Sequence, residues 1–145
     1  MKWTDEQYTA IYARGKRLLV SAAAGSGKTA VLVERVLSRI TREKDPDSLD
    51  RLVILTFTNA AASEMRTRIA DAIGARLGAD PSNRALRSQL NLVQTARIMT
   101  VHAFCARLVR ENFHVLGITP DFRIISGEEE ESLKREILGE FLEKE

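Results

Sequence analysis

Lys28 and Thr29 stand behind the small-residue run Ala22-Ala23-Ala24-Gly25-Ser26-Gly27, and those types at that spacing can hold a phosphate and a divalent cation. Gly25 and Gly27 let the backbone curl so that its N–H groups face an anion with no Cβ in the way. Lys28 suits the β- and γ-phosphates of a nucleotide, and the Thr29 hydroxyl suits Mg2+. The apolar run Leu18-Leu19-Val20 precedes the loop, and a helical pattern from Ala30 to Ile40 follows it. Strand, small-residue loop, Lys-Thr, helix is the context a phosphate-binding P-loop needs, and the helix aims its positive dipole end at the same anion. The full pattern has Gly where Ala22 stands, and an ordinary helix-start loop is the plainer alternative.

Two further junctions carry binding chemistry. Thr56-Phe57-Thr58-Asn59 puts hydroxyls, an aromatic ring and an amide where the run Leu52-Val53-Ile54-Leu55 meets a helical pattern. Hydroxyls and a helix N-terminus bind phosphates without regard to sequence, and an exposed Phe57 could stack on a base. Residue types alone favour the blander reading, with Phe57 in the core and Thr58 or Asn59 capping the helix. Thr100-Val101-His102-Ala103-Phe104-Cys105 repeats the theme. A neutral His102 can donate one hydrogen bond to a phosphate or to backbone, and by type alone it reads more readily as structural. Cys105 falls on the apolar side of its helix, where a core role outweighs a reactive thiol.

Positioning these groups takes alternating strands and helices. Thr4-Asp5-Glu6-Gln7 reads as a capping box, with Thr4 as N-cap and Gln7 as its partner, opening a helix to about Ala13. Gly15 breaks that helix, and Leu18 to Ser21 reads as the first strand. Ala30, Val33, Leu37 and Ile40 recur at helical spacing. Glu43 to Asp50 is a polar loop around Pro46. The continuous apolar run from Leu52 to Leu55 suits a strand covered on both faces. A third helix is expected from about Asn59 to Leu77, and Ser82 reads as the cap of a short helix to about Leu92. Arg97 to Thr100 reads as the third strand. The helix after it places Val101, Phe104, Cys105, Leu108 and Leu116 near one face before Gly117 and Pro120 end it. Phe122 to Ile125 is a short strand candidate, and Ser126 with Glu129 repeats the capping box ahead of a last helix. This alternation argues an α/β fold with a parallel sheet. Its ligands belong at the carboxyl ends of the strands, at Ser21/Ala22, Thr56/Phe57 and Thr100/Val101.

The chain has 145 residues, 44% hydrophobic and 29% charged, which suits one soluble globular domain with its own core. No apolar run approaches a membrane span, and Met1-Lys2-Trp3 leads straight into a helix without a secretory segment. The lone Cys105 excludes an internal disulfide, so a cytoplasmic protein with no membrane partner is expected. Residues 1–125 carry 19 Lys and Arg against 12 Asp and Glu, whereas residues 126–145 carry 3 against 8. The basic body is compatible with nucleic acid, although solvated faces explain such charge equally well.

Together the three junctions resemble motifs I, Ia and Ib of superfamily 1A DNA helicases, the UvrD/Rep type. Thr4-Asp5-Glu6-Gln7 with Ala10-Ile11 is similar to that family's Q-motif, which implies that Gln7 reads an adenine edge. The string from Leu19 to Arg35, Thr56-Phe57-Thr58-Asn59-Ala60-Ala61-Ala62 and Pro120-Asp121-Phe122-Arg123-Ile124 most resemble AddA-type helicase–nuclease proteins. The resemblance covers nearly the whole chain. It implies a P-loop NTPase, or RecA-like, parallel sheet with flanking helices, incomplete as domain 1A. Residues 1–125 would be the N-terminal part of that ATP-binding domain, and residues 126–145 the start of a helical insertion. It implies MgATP on Ala22, Ala23, Ala24, Gly25, Ser26, Gly27, Lys28 and Thr29, with Thr29 on the metal. It also implies that Thr56, Phe57, Thr58, Asn59, Thr100 and His102 line a single-stranded DNA path. UvrD and Rep have Lys where Ala60 stands, while AddA-type proteins share the Ala. The family usually has Ser at Ala103, so one DNA-contacting hydroxyl is missing. The implied partners are single-stranded or duplex-end DNA and an AddB-type protein. The implied activity is ATP-dependent unwinding in double-strand-break repair, with any nuclease in a later region.

ATP hydrolysis needs a carboxylate pair at a strand end, a group that positions water and usually an arginine finger. The stretch Phe122-Arg123-Ile124-Ile125-Ser126-Gly127-Glu128-Glu129 is apolar then acidic, but it lacks the Asp and reads better as a helix cap. The chain therefore reads as an N-terminal piece that binds nucleotide and turns over little or none. A small P-loop kinase and a non-catalytic nucleotide-binding module are the alternatives. A kinase needs an acceptor site and usually a basic lid, and neither is evident.

Overall fold

The computed structural model describes residues 2–15, 17–23, 25–119, 121–125 and 127–142. Helix α1 (Asp5–Tyr12) opens on the expected capping box. The Gln7 N–H donates to Thr4 Oγ1, and the Thr4 N–H donates to Gln7 Oε1. Helices α2 (Lys28–Ile40) and α3 (Asn59–Ala79) bury Val33, Val36, Leu37 and Ile40, and Ala62, Met65, Ile69 and Ile73 respectively. Spacings of three and four place each set on one helix face. A 3-10 turn at Leu49–Arg51 leads into strand β1 (Val53–Thr56), and α4 (Arg84–Leu92) leads to β2 (Arg97–Thr100). The main core joins the α2 and α3 stripes to Leu49, Ile54, Leu86, Val93, Ala96 and Ile98. Helices α5 (Val101–Glu111), α6 (Phe113–Leu116) and α7 (Gly127–Leu142) complete the described chain.

β1 and β2 pair in parallel, with Val53 opposite Arg97 and Thr56 opposite Thr100. The described residues thus form an α/β chain with a two-stranded parallel sheet and seven helices. Polar tethers fix this arrangement. Arg66 donates to the carbonyls of Ile98 and Val93, Arg76 pairs with Glu34 across α3 and α2, and the Leu49 N–H donates to Gln89 Oε1. The chain divides into two compact units, Met1–Phe104 and Cys105–Glu145. The first holds both strands and the core. In the second, the Arg110 guanidinium lies 5.0 Å from the Phe122 ring centroid and Arg123 pairs with Glu129 at 2.7 Å.

Several sequence expectations fail here for physical reasons. Leu18 to Ser21 is not a strand, and Leu19 is 93% exposed. A strand exists through its ladder partner; β1 and β2 pair with each other, and no described residue pairs with 18–21. Phe122 to Ile125 forms no strand for the same reason. The cap of α4 is Asn83, whose Oδ1 accepts from the Leu86 N–H at 3.0 Å, while Ser82 turns its hydroxyl to Asp80. The helix after β2 breaks at Asn112, whose side chain bonds the Leu108 carbonyl and whose φ of −122° leaves the helical range. Gly117 ends the short α6 in the left-handed conformation. No residue of α5 is buried and Cys105 is exposed, so the expected core role of that cysteine does not hold. The expected cap Ser126 and breaker Pro120 lie outside the described residues.

Candidate functional site

The loop ahead of α2 takes its shape from its glycines. Gly25 and Gly27 have φ of +78° and +83°, a left-handed region that favours glycine. Gly27 is the N-cap of α2 and offers no side chain to the first-turn N–H groups. Those groups have no intrahelical acceptor, so the helix start is left for an anion. Lys28 Nζ turns back across the loop and donates to the carbonyls of Ala22 and Ala23 at 2.7 and 2.6 Å. Its ammonium thus waits inside the loop on polar partners that a phosphate oxygen can replace. Thr29 is half-buried one residue further along the helix. Glycine-shaped backbone, a helix start and an ammonium suit an anion such as a nucleotide phosphate. Among the described residues no group of three or more His, Cys, Asp or Glu could hold a metal without such a ligand.

Gln7 belongs to the same constellation. Thr4 orients its amide through the capping box, and Gln7 Nε2 then donates to the Ser26 carbonyl at 3.2 Å. A Cβ at Gly27 would come within 3.4 Å of that nitrogen, so side chain and loop meet closely. A cavity of about 520 Å³ opens here, lined by Gln7, Ser26, Lys28 and Arg35 together with apolar Ala10, Leu18, Val20, Val31 and Leu32. A largely apolar cleft with a few convergent polar groups suits a planar base beside its phosphates. Arg35 Nη1 donates to the carbonyls of Ala10 and Ile11 at 2.5 and 3.3 Å. Burial lowers the Arg35 pKa, and the charges of Arg14 and Arg39 lower it further.

The sheet builds the second constellation. Its register ends both strands at one edge, so Thr56-Phe57-Thr58-Asn59 and Thr100-Val101-His102 lie side by side where α3 and α5 begin. Thr58 Oγ1 accepts from the Ala61 N–H, and Thr100 Oγ1 accepts from the Ala103 N–H. Thr56 Oγ1 donates to the Thr58 carbonyl at 3.0 Å. Phe57 is 95% exposed, which overturns its expected place in the core, whereas the capping expected of Thr58 holds. His102 and Asn59 are exposed, and Thr100 is buried. Two helix N-termini, an exposed ring and exposed polar side chains make a surface suited to a phosphate backbone with a stacked base.

The sequence matches the UvrD/REP helicase N-terminal domain over residues 3–145. The chain belongs to this helicase family. It is 49% identical over 144 residues to AddA, an ATP-dependent helicase/nuclease, of Bacillus cytotoxicus, covering 99% of this chain and 12% of that protein. Against the protein of the same name from Clostridium perfringens it is 52% identical over 142 residues, covering 98% of this chain and 11% of the relative. The chain therefore spans about one-eighth of the length of these AddA relatives.

Within this helicase domain the structure brings Gln7, Ala22, Ala23, Ser26, Gly27 and Lys28 together, and it separately gathers Thr56 to Asn59 with Thr100 and His102. No hydrogen bond or ion pair among the described residues joins the two groups, and none of the second group lines the cavity. Ala24 lies outside the described residues. Sequence reasoning missed Arg35, with Arg14 and Ser38 beside it. Arg35 reaches α1 across 25 and 24 positions, and Arg14 reaches Ser38 across 24. The one available signal was a charged residue between the apolar positions Val33 and Val36. Among the described residues no helix is long and apolar enough to cross a membrane.

Proposed function

We propose that this chain is the nucleotide- and DNA-gripping start of an ATP-driven DNA helicase motor within a longer cytoplasmic protein of the AddA helicase/nuclease kind. Lys28 would hold the β- and γ-phosphates, Thr29 the Mg2+ ion, the backbone from Ala22 to Gly27 the phosphate oxygens, and Gln7 the adenine edge. When bound, ATP supplies the free energy of its hydrolysis to the motor. Phe57 would stack on a base, Thr56, Thr58, Asn59 and His102 would contact the strand, and buried Thr100 would set the start of α5. Unwinding of duplex ends, a nuclease activity and an AddB-type partner belong to the longer protein.

The observation that carries this reading is the convergence of Gln7 Nε2 on the Ser26 carbonyl and Lys28 Nζ on the Ala22 and Ala23 carbonyls around one cavity. A P-loop kinase would share the lysine, but its reaction requires an acceptor site, and the sequence offers no evident one. The sequence also has no apolar run ending in Asp-Glu, so these residues alone bind nucleotide without turning it over.

Calorimetry with MgADP, paired with ATPase and small-acceptor phosphotransfer assays, tests the proposal. Charge-assisted contacts to phosphate predict a loss of about 10- to 100-fold in affinity for Lys28→Ala. Neither turnover nor transfer is expected from the chain. Undiminished MgADP binding by Lys28→Ala removes the P-loop assignment, and Lys28-dependent phosphotransfer to a small acceptor establishes the kinase instead.

A further inference from the structure

Helix α1 has eight residues, too short to be stable alone. It is held by α2. Ala10 and Ile11 pack on Val31, with Trp3 against them. The two helices run in the same direction, because Gln7 meets Ser26 near the start of α2 while Ala10 and Ile11 meet Arg35 further along it. Apolar contact is non-directional and tolerates sliding, so this small cluster does not by itself set where α1 sits along α2. Directional bonds at the far end do. Arg35 reaches the carbonyls of Ala10 and Ile11, and Arg14 bonds both the Ile11 carbonyl and Ser38 Oγ, whose own proton goes to the Arg35 carbonyl at 2.8 Å. A guanidinium at the C-terminal carbonyls also complements the negative end of the α1 dipole.

We infer that Arg35 is a positioning residue for base recognition: by holding the last-turn carbonyls of α1 it sets the height of that helix along α2 and keeps the Gln7 amide against the Ser26 carbonyl. The inference rests on the proposal that the cavity takes an adenine nucleotide. The bond from Gln7 Nε2 to the Ser26 carbonyl is 3.2 Å long, so a shift of α1 by a fraction of a turn misplaces the amide. Arg35 also lines the cavity, so direct contact with the ligand is the competing role.

The test compares MgADP with magnesium pyrophosphate, which lacks a base, by calorimetry on the 145-residue chain. The variants are Arg35→Met, Arg35→Lys, Gln7→Ala and the Gln7→Ala/Arg35→Met double. The Gln7 side-chain amide and Ser26 amide signals are followed in the unliganded chain. Loss of one oriented hydrogen bond predicts that Arg35→Met weakens MgADP roughly tenfold and pyrophosphate by less than about twofold. Arg35→Lys recovers most of that loss. The double variant binds MgADP no worse than Gln7→Ala, because the two act as one unit. The Gln7 and Ser26 signals move in unliganded Arg35→Met. Three results overturn the inference: equal loss of both ligands, additive losses in the double variant, or unmoved Gln7 and Ser26 signals. If the unsubstituted chain binds neither ligand, the nucleotide proposal falls and base recognition with it, while the unliganded signals still decide whether Arg35 positions Gln7.

Discussion

Lys28 has two sets of partners open to it, the carbonyls of its own loop and the oxygens of a phosphate, and the structure shows the first. Binding is thus an exchange of one polar set for another. Phe57 has no such exchange to make. At 95% exposure it contributes almost nothing to the core, so Phe57→Ala should change stability in thermal unfolding by no more than about 0.5 kcal/mol. A stacked base is worth about 1–3 kcal/mol, which predicts a loss of roughly 5- to 100-fold in oligo-dT affinity by fluorescence anisotropy. Full DNA affinity in Phe57→Ala would refute the stacking role. The motif residues were legible because their chemistry is local: glycines that must turn, a lysine beside a helix start, a threonine that caps. Exposure was not legible. Composition assigns a phenylalanine to the core, and only the register of β1 with β2 shows that the chain leaves the sheet edge at Phe57.

At the scale of elements, most helices and the two paired strands were readable, whereas apolar runs left without a partner were misread as strands. The stripes of α2 and α3 follow from periodicity, and fully buried Ile73 belongs to the core they share. Ile73→Ala should cost about 2–5 kcal/mol in urea unfolding, as truncation in a packed core does, and a cost near zero would show that the α2–α3 core is not packed as described. The apolar run Leu18 to Val20 carries the same signal as the run that became β1, yet it has no ladder partner. A strand needs a neighbour, and a neighbour is not a local property. The loop after α2 shows what polar tethering does. Asp47 Oδ2 lies 2.7 Å from Arg39 Nε, and that hydrogen bond, aided by the charges of Arg39, Arg42 and Arg51, holds its carboxyl below the usual range. A lowered folded pKa stabilises above the unfolded value, about 3.9, and the contribution fades as pH falls through the folded value. Asp47→Asn should therefore cost about 1 kcal/mol or less near neutral pH, with the gap to the parent chain closing in acid. A gap constant across that range would contradict the pairing.

At the scale of the molecule, the family match spans both units, while the two candidate constellations both lie in the first. One is assembled by α1 against α2, the other by the parallel register of two short strands. Overall α/β class and family were legible because four ordered motifs survive in sequence whatever surrounds them. The extent of the sheet was not, since it depends on which segments find one another. The first constellation is proposed to grip a nucleotide and the second a single strand. Paired amide chemical-shift titrations test it most directly, with MgADP first and a short oligo-dT second. Low salt is needed because phosphate contacts weaken as counterions compete. MgADP is expected to move Gln7 and Gly25 to Thr29, and the oligonucleotide to move Phe57 to Asn59 and Thr100 to Phe104. A loop that stays still under saturating MgADP, or an oligonucleotide that shifts neither strand end, would contradict it.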